Sequence, residues 1–324
     1  MTTTVGEFTA ELVVRRRTAA ADGVVALELV DPQGRALPAW EPGSHIDLLL
    51  DEGLVRQYSL CGDPRDAGTW RVGVLLDPNS RGGSQHVHAH LQAGAVVRVR
   101  GPRNHFPLIA SPKYLFIAGG IGITPVKAMA ESAERAGLDW TMLYLGRTRS
   151  SMAFQQELQD TYGDRVTIWA DDERGGFCDV AAVLAEPAAG TVIYSCGPEP
   201  LLAAVEKHCA HWPEGSLHVE RFAAKAPTAE TLAEALDSYQ VVCRQSGVTV
   251  EVSDGVPMLE ALEDAGVPIM SSCGEGVCGT CRTTVLEGIP DHRDSLLTAA
   301  ERAAANVILP CVSHSRSEKL ILDL

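Results

Sequence analysis

The sequence predicts a multidomain chain: an antiparallel β-barrel, then an α/β domain on a parallel sheet, then a small α+β domain. Three observations carry this. Up to residue 110, short apolar runs follow one another closely with Gly, Pro and Asp between them, as in a barrel or sandwich. From residue 111, strand-like runs alternate with helical ones, the pattern of a parallel sheet with crossover helices. Near the end, Cys273, Cys278, Cys281 and Cys311 spell C-x4-C-x2-C plus a distant fourth cysteine, the ligand spacing of a plant-type 2Fe–2S cluster.

The barrel strands are expected in AELVVRRRT, VVALELV, HIDLLL, RQYSL, WRVGVLL and AVVRVRG. In the α/β part, YLFIA, WTMLYL, VTIWA and TVIYSC read as strands. VKAMAESAERAG reads as a helix stopped by Gly137, and AFQQELQDTY and EPLLAAVEKHC as further helices. Residues 224–238, Ala-rich with Pro227, hold no strand pattern and read as a linker. From residue 239, YQVVCR and GVTVEV predict a hairpin, PMLEALEDAG a helix, and TTVLEG and KLILDL strands around the cysteine loop.

Composition narrows the function. The 324 residues carry a net charge of −15, which argues against a nucleic-acid partner. Residues 225–324 alone hold 15 acidic and 7 basic side chains, a charge suited to docking on a basic protein surface or simply to solvation. No apolar run approaches the ~20 residues of a membrane span. The first residues, MTTTVGEFTAELVVRRR, lack the basic-then-apolar order of a secretory signal. The other five cysteines, Cys61, Cys178, Cys196, Cys209 and Cys243, are scattered and odd in number. A disulfide framework is therefore not expected, and a reducing cytoplasm is.

Several motifs carry chemistry. Three glycines, Gly274, Gly276 and Gly279, interleave the cysteine ligands, as a loop wrapping a cluster requires. Zinc is the alternative, but structural zinc prefers two close pairs or Cys/His mixtures. GGIGITP, 119–125, follows a strand and opens a helix, a place that favours a pyrophosphate. It departs from G-x-G-x-x-G, because Pro125 stands at the third glycine and Gly146 and Arg147 stand where an acidic residue is usual. YSCGPEP, 194–200, lies at the end of a later strand, so Cys196 either faces the crevice or is a core thiol. RQYSL places Arg56 and Tyr58 on one strand face, suited to a phosphate and an aromatic ring. SRGGSQ, 80–85, suits a phosphate or a plain turn. His86, His88 and His90 alternate; the flanking pattern predicts a helix start, where the three do not converge on a metal.

In their order along the chain, these motifs resemble the phthalate dioxygenase reductase family. The likeness covers all three segments and includes DHRDSLLTAAERAAANVILPCVSHS, 291–315, and LYLGRTRSSMAF, 143–154. It implies a ferredoxin-reductase-type FMN barrel over 1–110, an NAD-binding domain over 111–223 and a plant-type β-grasp 2Fe–2S ferredoxin over 239–324. Arg56, Tyr58 and Ser59 would contact the flavin, and Arg81, Gly82, Gly83 and Ser84 its phosphate. Gly120, Gly122, Thr124, Cys196, Gly197 and Pro198 would line the nicotinamide side. Thr124 and Cys196 would stand near the hydride path. Phe222 would border the flavin ring, or be an ordinary core phenylalanine. Asp171 would meet the adenosine ribose and favour NADH, whereas Arg147 would accommodate a 2′-phosphate. FAD in place of FMN would need an adenosine-binding stretch, and none is evident after the GGS turn.

Nicotinamides deliver electrons in pairs and 2Fe–2S clusters take them singly, so the order NADH, flavin, cluster, outside acceptor follows. The expected function is the reductase component of a two-component oxygenase, ring-hydroxylating or O-demethylating, with a terminal Rieske protein as partner. A haem-thiolate monooxygenase is the alternative acceptor. A redox carrier or sensor without turnover is the alternative of another class.

Overall fold

The computed structural model describes residues 7–50, 53–78, 82–224, 236 and 238–324. Arg81 and nearly all of the expected linker lie outside the described residues. The chain divides into two compact units, Met1–Glu220 and Arg221–Leu324.

The first unit opens with six antiparallel strands: β1 (Thr9–Ala21), β2 (Val24–Val30), β3 (Ser44–Leu49), β4 (Val55–Ser59), β5 (Trp70–Leu75) and β6 (Val96–Asn104). Their order is β4-β3-β6-β1-β2-β5. A bridge from Leu60 to Val72 joins the two ends and closes the barrel. Period-2 alternation builds the interior: Val97 and Val99 are buried on β6 while Val96 and Arg98 face out. Leu12, Leu27, Ile46, Leu48, Trp70 and Val74 complete that core. Helix α1 (Gly83–His90) covers β5, as the sequence led us to expect for QHVHAH.

The parallel sheet follows, built from β7 (Lys113–Gly119), β8 (Asp139–Gly146), β9 (Val166–Ala170), β10 (Thr191–Cys196) and β11 (Leu217–Glu220) in the order β11-β10-β7-β8-β9. Helices α2 (Ile123–Arg135), α3 (Gln155–Tyr162), α4 (Asp171–Arg174), α5 (Val180–Val183) and α6 (Glu199–His208) connect them. Both faces are covered, which is why these strands read as nearly continuous apolar runs. Phe116, Tyr144 and Tyr194 pack against Val126, Met129 and Ala133 of α2. Ile117 and Ile193 pack on the other side with Val205 and Trp212. The first of these cores also contains Val24, Ala26, Cys61 and Phe106, so barrel and sheet share one apolar interior. Strand β11 was not among the expected strands.

The second unit is a mixed sheet ordered β13-β12-β18-β14-β16. Its strands are β12 (Ser238–Cys243), β13 (Thr249–Ser253), β14 (Thr283–Glu287), β16 (Val307–Ile308) and β18 (Lys319–Leu322), with a small separate pair, β15 (Pro290–Asp291) and β17 (His314–Ser315). Strand β12 pairs antiparallel with β13 and parallel with β18. Helix α7 (Met258–Asp264) buries Met258 and Leu262 on Val241, Val252 and Leu320. Helix α8 (Ala299–Ala304) starts with a capping box between Thr298 and Glu301. Among the described residues no helix is long and apolar enough to cross a membrane.

Candidate functional site

The barrel motifs meet at α1. A Cβ on Gly83 would lie 2.4 Å from Cγ and 2.6 Å from Nε of Arg56, so only glycine lets the arginine lie along the first turn of the helix. Gly82, at φ 87°, caps that turn. Ser84 is tied in by accepting from the Asp77 N–H at 3.1 Å. The Arg56 side chain thus lies beside the first turn of α1, its Nη1 donating to the Val55 carbonyl at 2.8 Å, and a helix start with an arginine beside it suits an anion. Burial pushes the Tyr58 phenol up to about 12, which keeps it a neutral donor. Ser59 is buried at the end of β4.

The two nucleotide-side motifs also meet. A Cβ on Gly122 would strike the Cys196 carbonyl oxygen at 2.2 Å and the Gly197 nitrogen at 2.6 Å. Gly119 and Gly197 are also close, since a Cβ on Gly197 would lie 3.0 Å from Gly119 Cα. Pro198 packs against Gly119 and provides the N-cap of α6. Gly120, at φ 52°, offers its carbonyl to the Tyr144 hydroxyl at 3.1 Å. The glycines thus bring the carboxyl ends of adjacent strands β7 and β10 into contact, where ligands bind in open α/β sheets.

Thr124 stands where barrel and sheet touch. It is buried, bonds to the Ile121 carbonyl at 3.0 Å and faces Gly73 of β5, whose Cβ would lie 2.9 Å from Thr124 Cγ2. Phe154 borders the same glycine and carries φ 61°, a strained value for a bulky residue. Arg71 lies 4.6 Å over the Phe154 ring. An ion-pair cluster holds this junction: Lys127 Nζ lies 2.9 Å from Glu157, which also pairs with Arg71 at 3.1 Å. Burial alone would raise the Glu157 pKa, but the two cations overcome it and hold the carboxylate below its usual range. Sequence reading missed this cluster, because its members lie on three different elements.

Cys196 is fully buried, and burial, with the neighbouring Glu220 adding to it, raises its pKa well above the usual value. It is therefore a thiol whose Sγ faces Glu220 Oε2 at 4.0 Å. Glu220, at the end of β11, was missed as a site residue. Although its side chain keeps some solvent access, desolvation pushes its carboxyl up to about 8. The shift favours its protonated form relative to an ordinary carboxyl, and its Oε2 accepts from the Cys196 thiol. Arg147 and Asp171 directly follow the adjacent strands β8 and β9, and the Asp172 N–H donates to the Arg147 carbonyl at 3.1 Å. Burial, then Asp172, raises the Asp171 pKa. Phe222 belongs to the second unit and is 43% exposed, so it is not a core phenylalanine.

In the second unit the four cysteines converge. Cys273 interacts with Cys278 and Cys311, and Cys281 with Cys311. Backbone N–H groups of Glu275 and Thr280 donate to Cys273 and Cys278 sulfurs at 3.2 and 3.4 Å. Gly274, Gly276 and Gly279 all take φ near 70°, which directs such N–H groups inward. Asp294 braces the loop: it is buried, accepts from Leu296 and Leu297 N–H at 2.9 and 2.7 Å, and holds Arg302. A sulfur-only donor set with inward N–H groups fits an iron–sulfur cluster.

Comparison with known proteins agrees. The 2Fe-2S iron-sulfur cluster binding domain model matches residues 241–316, and the oxidoreductase NAD-binding domain model matches residues 116–207. Phenoxybenzoate dioxygenase subunit beta of Ectopseudomonas oleovorans is 42% identical over 306 residues, 94% of each chain. Phthalate dioxygenase reductase superposes with a TM-score of 0.72 at 34% identity, over 98% of both chains. The chain belongs to the phthalate dioxygenase reductase family. The reductase is accordingly an oxidoreductase with NAD-binding and 2Fe–2S domains, of the kind that serves oxygenases. It is also similar to an intact type IV self-sufficient cytochrome P450 monooxygenase, with a TM-score of 0.90 and 44% identity over 98% of this chain. It spans only 41% of that protein.

Proposed function

We propose that the reductase passes electrons from NADH through FMN and a 2Fe–2S cluster to a terminal Rieske-type oxygenase in the cytoplasm, one that hydroxylates or demethylates aromatic compounds. The observation that carries this is the presence, in one compact unit, of the Arg56–Gly83 contact on the barrel and the glycine contacts between β7 and β10 on the sheet, with Thr124 where barrel and sheet touch. A flavin supplies the exchange between paired and single electrons.

The residues divide the work. Arg56, Gly82, Gly83 and the first turn of α1 hold one phosphate, which suits FMN. Tyr58 and Ser59 line the ring side. Gly120, Gly122 and the Cys196–Pro198 turn admit the nicotinamide, and Thr124 and the Cys196 thiol border it. Glu220 sets the polar surroundings of the Cys196 thiol. Asp171 takes the adenosine ribose of NADH, with Arg147 at its edge. Cys273, Cys278, Cys281 and Cys311 ligate the cluster. The acidic second unit suits a basic docking face on the oxygenase.

The test is electron delivery to purified oxygenases. Cys278→Ser should leave flavin bleaching by NADH intact and abolish oxygenase turnover; turnover without a cluster would overturn the linear route. Weighing the released flavin checks FMN against FAD. The likeness to a self-sufficient P450 favours a second acceptor, a haem-thiolate monooxygenase. Transfer to such a protein, with none to a Rieske protein, would select that reading.

A further inference from the structure

Helix α1 carries three histidines, and the structure separates them by face. His88 turns inward, its Nε2 lying 3.0 Å from the Val74 carbonyl of β5. His86 and His90 are four residues apart, one turn of the helix, so they share a face. Their ring centroids lie 4.7 Å apart with 47° between planes. His90 is exposed and His86 half-buried. The pair follows H-x-x-x-H, the spacing by which two histidines of one helix grip a single zinc ion in unrelated proteins.

We propose that His86 and His90 form a surface chelate for a divalent late transition ion, of which Zn²⁺ is the representative. Imidazole is a favoured ligand of Zn²⁺, Cu²⁺ and Ni²⁺. With metal–nitrogen bonds of ~2.0–2.1 Å, two ligand nitrogens stand about 3 Å apart. Small rotations of rings 4.7 Å apart reach that separation. His90 lies in the last turn of the helix, where the helix dipole favours a cation. Arg17, donating to the His88 carbonyl at 3.2 Å, opposes the ion and limits its affinity. Among the described residues no third Cys, His, Asp or Glu completes a site, so water fills the remaining positions. The site is distinct from the cluster cysteines, which lie in the other unit.

The experiment is Zn²⁺ titration by calorimetry into the full-length, tag-free protein loaded with flavin and cluster, so that the cluster thiolates are occupied. Cluster absorbance is followed throughout. One ion per chain is expected, with affinity reduced about tenfold or more in His86→Gln and in His90→Gln and retained in His88→Gln. Glutamine is as good a helix former as histidine or better, so the variants keep α1. Unchanged cluster absorbance and far-ultraviolet dichroism check this. Unaltered affinity in both pair variants, for instance because the ion sits at His208 and His211, would overturn the proposal. So would the absence of any binding at millimolar Zn²⁺.

Discussion

Glu220 shows how much a single residue can owe to its surroundings. Its carboxyl has an ordinary value of 4.5 and is pushed up to about 8 by desolvation. The folded state therefore holds the proton more tightly than the unfolded chain does. Below the lower value both states are protonated and the shift costs nothing. Between the two values the unfolded chain ionises while the folded one resists, so stability falls as pH rises. Glu220→Gln removes that slope. Chemical denaturation of both proteins from pH 5 to pH 8 should show the wild type losing stability relative to the variant across this window. Parallel profiles would mean that the site is more solvated than its surroundings imply. Cys196, its neighbour, stays a thiol throughout, because burial raises its pKa further.

At the scale of elements, the decisive contact is that of two strand ends. Gly122 lies so near the Cys196 carbonyl that a methyl group would penetrate it at 2.2 Å, and backbone cannot yield as a side chain can. Gly122→Ala should destabilise the first unit by about 1–3 kcal/mol, the usual range for overpacking, and raise the KM for NADH. Thermal melting and steady-state kinetics with a dye acceptor check both. Gly83→Ala would meet only the flexible Arg56 side chain, and so makes a milder comparison. Much of this level was legible beforehand. VVALELV is strand β2 from end to end, and Gly137 stops α2 as its position suggested. The cysteine spacing and the glycine motifs announced their own loops, because ligand geometry and tight turns restrict residue type locally. Strand β11 was not legible: LHVE is short and has only two apolar residues, and its pairing with β10 is set by tertiary contact. Helix α8 was legible but unread, since TAAE spells its capping box. The Lys127–Glu157–Arg71 cluster and the Cys196–Glu220 pair depend on distant segments meeting, and no local pattern announces either. The sequence supplied the helix of α1 but not the pairing of His86 with His90, whose rings the structure brings together.

Across the whole molecule, the sequence divides into three segments and the structure into two units. The reason lies in the interior shared by the barrel and the parallel sheet. Val24, Ala26, Cys61 and Phe106 of the barrel lie in the same apolar core as Val126, Met129 and Phe154. Separating them would open that core, strip Glu157 of Arg71 and part Lys127 from the Cys61 carbonyl. Cooperativity follows buried surface, not motif boundaries. Scanning calorimetry of the loaded protein should therefore resolve at most two heat-absorption peaks. A third peak, with the barrel melting apart from the sheet, would contradict the continuous core. A reaction that needs its flavin and nicotinamide pockets in register thus has both written into one melting unit, so that heat removes them together and leaves no half-working intermediate behind.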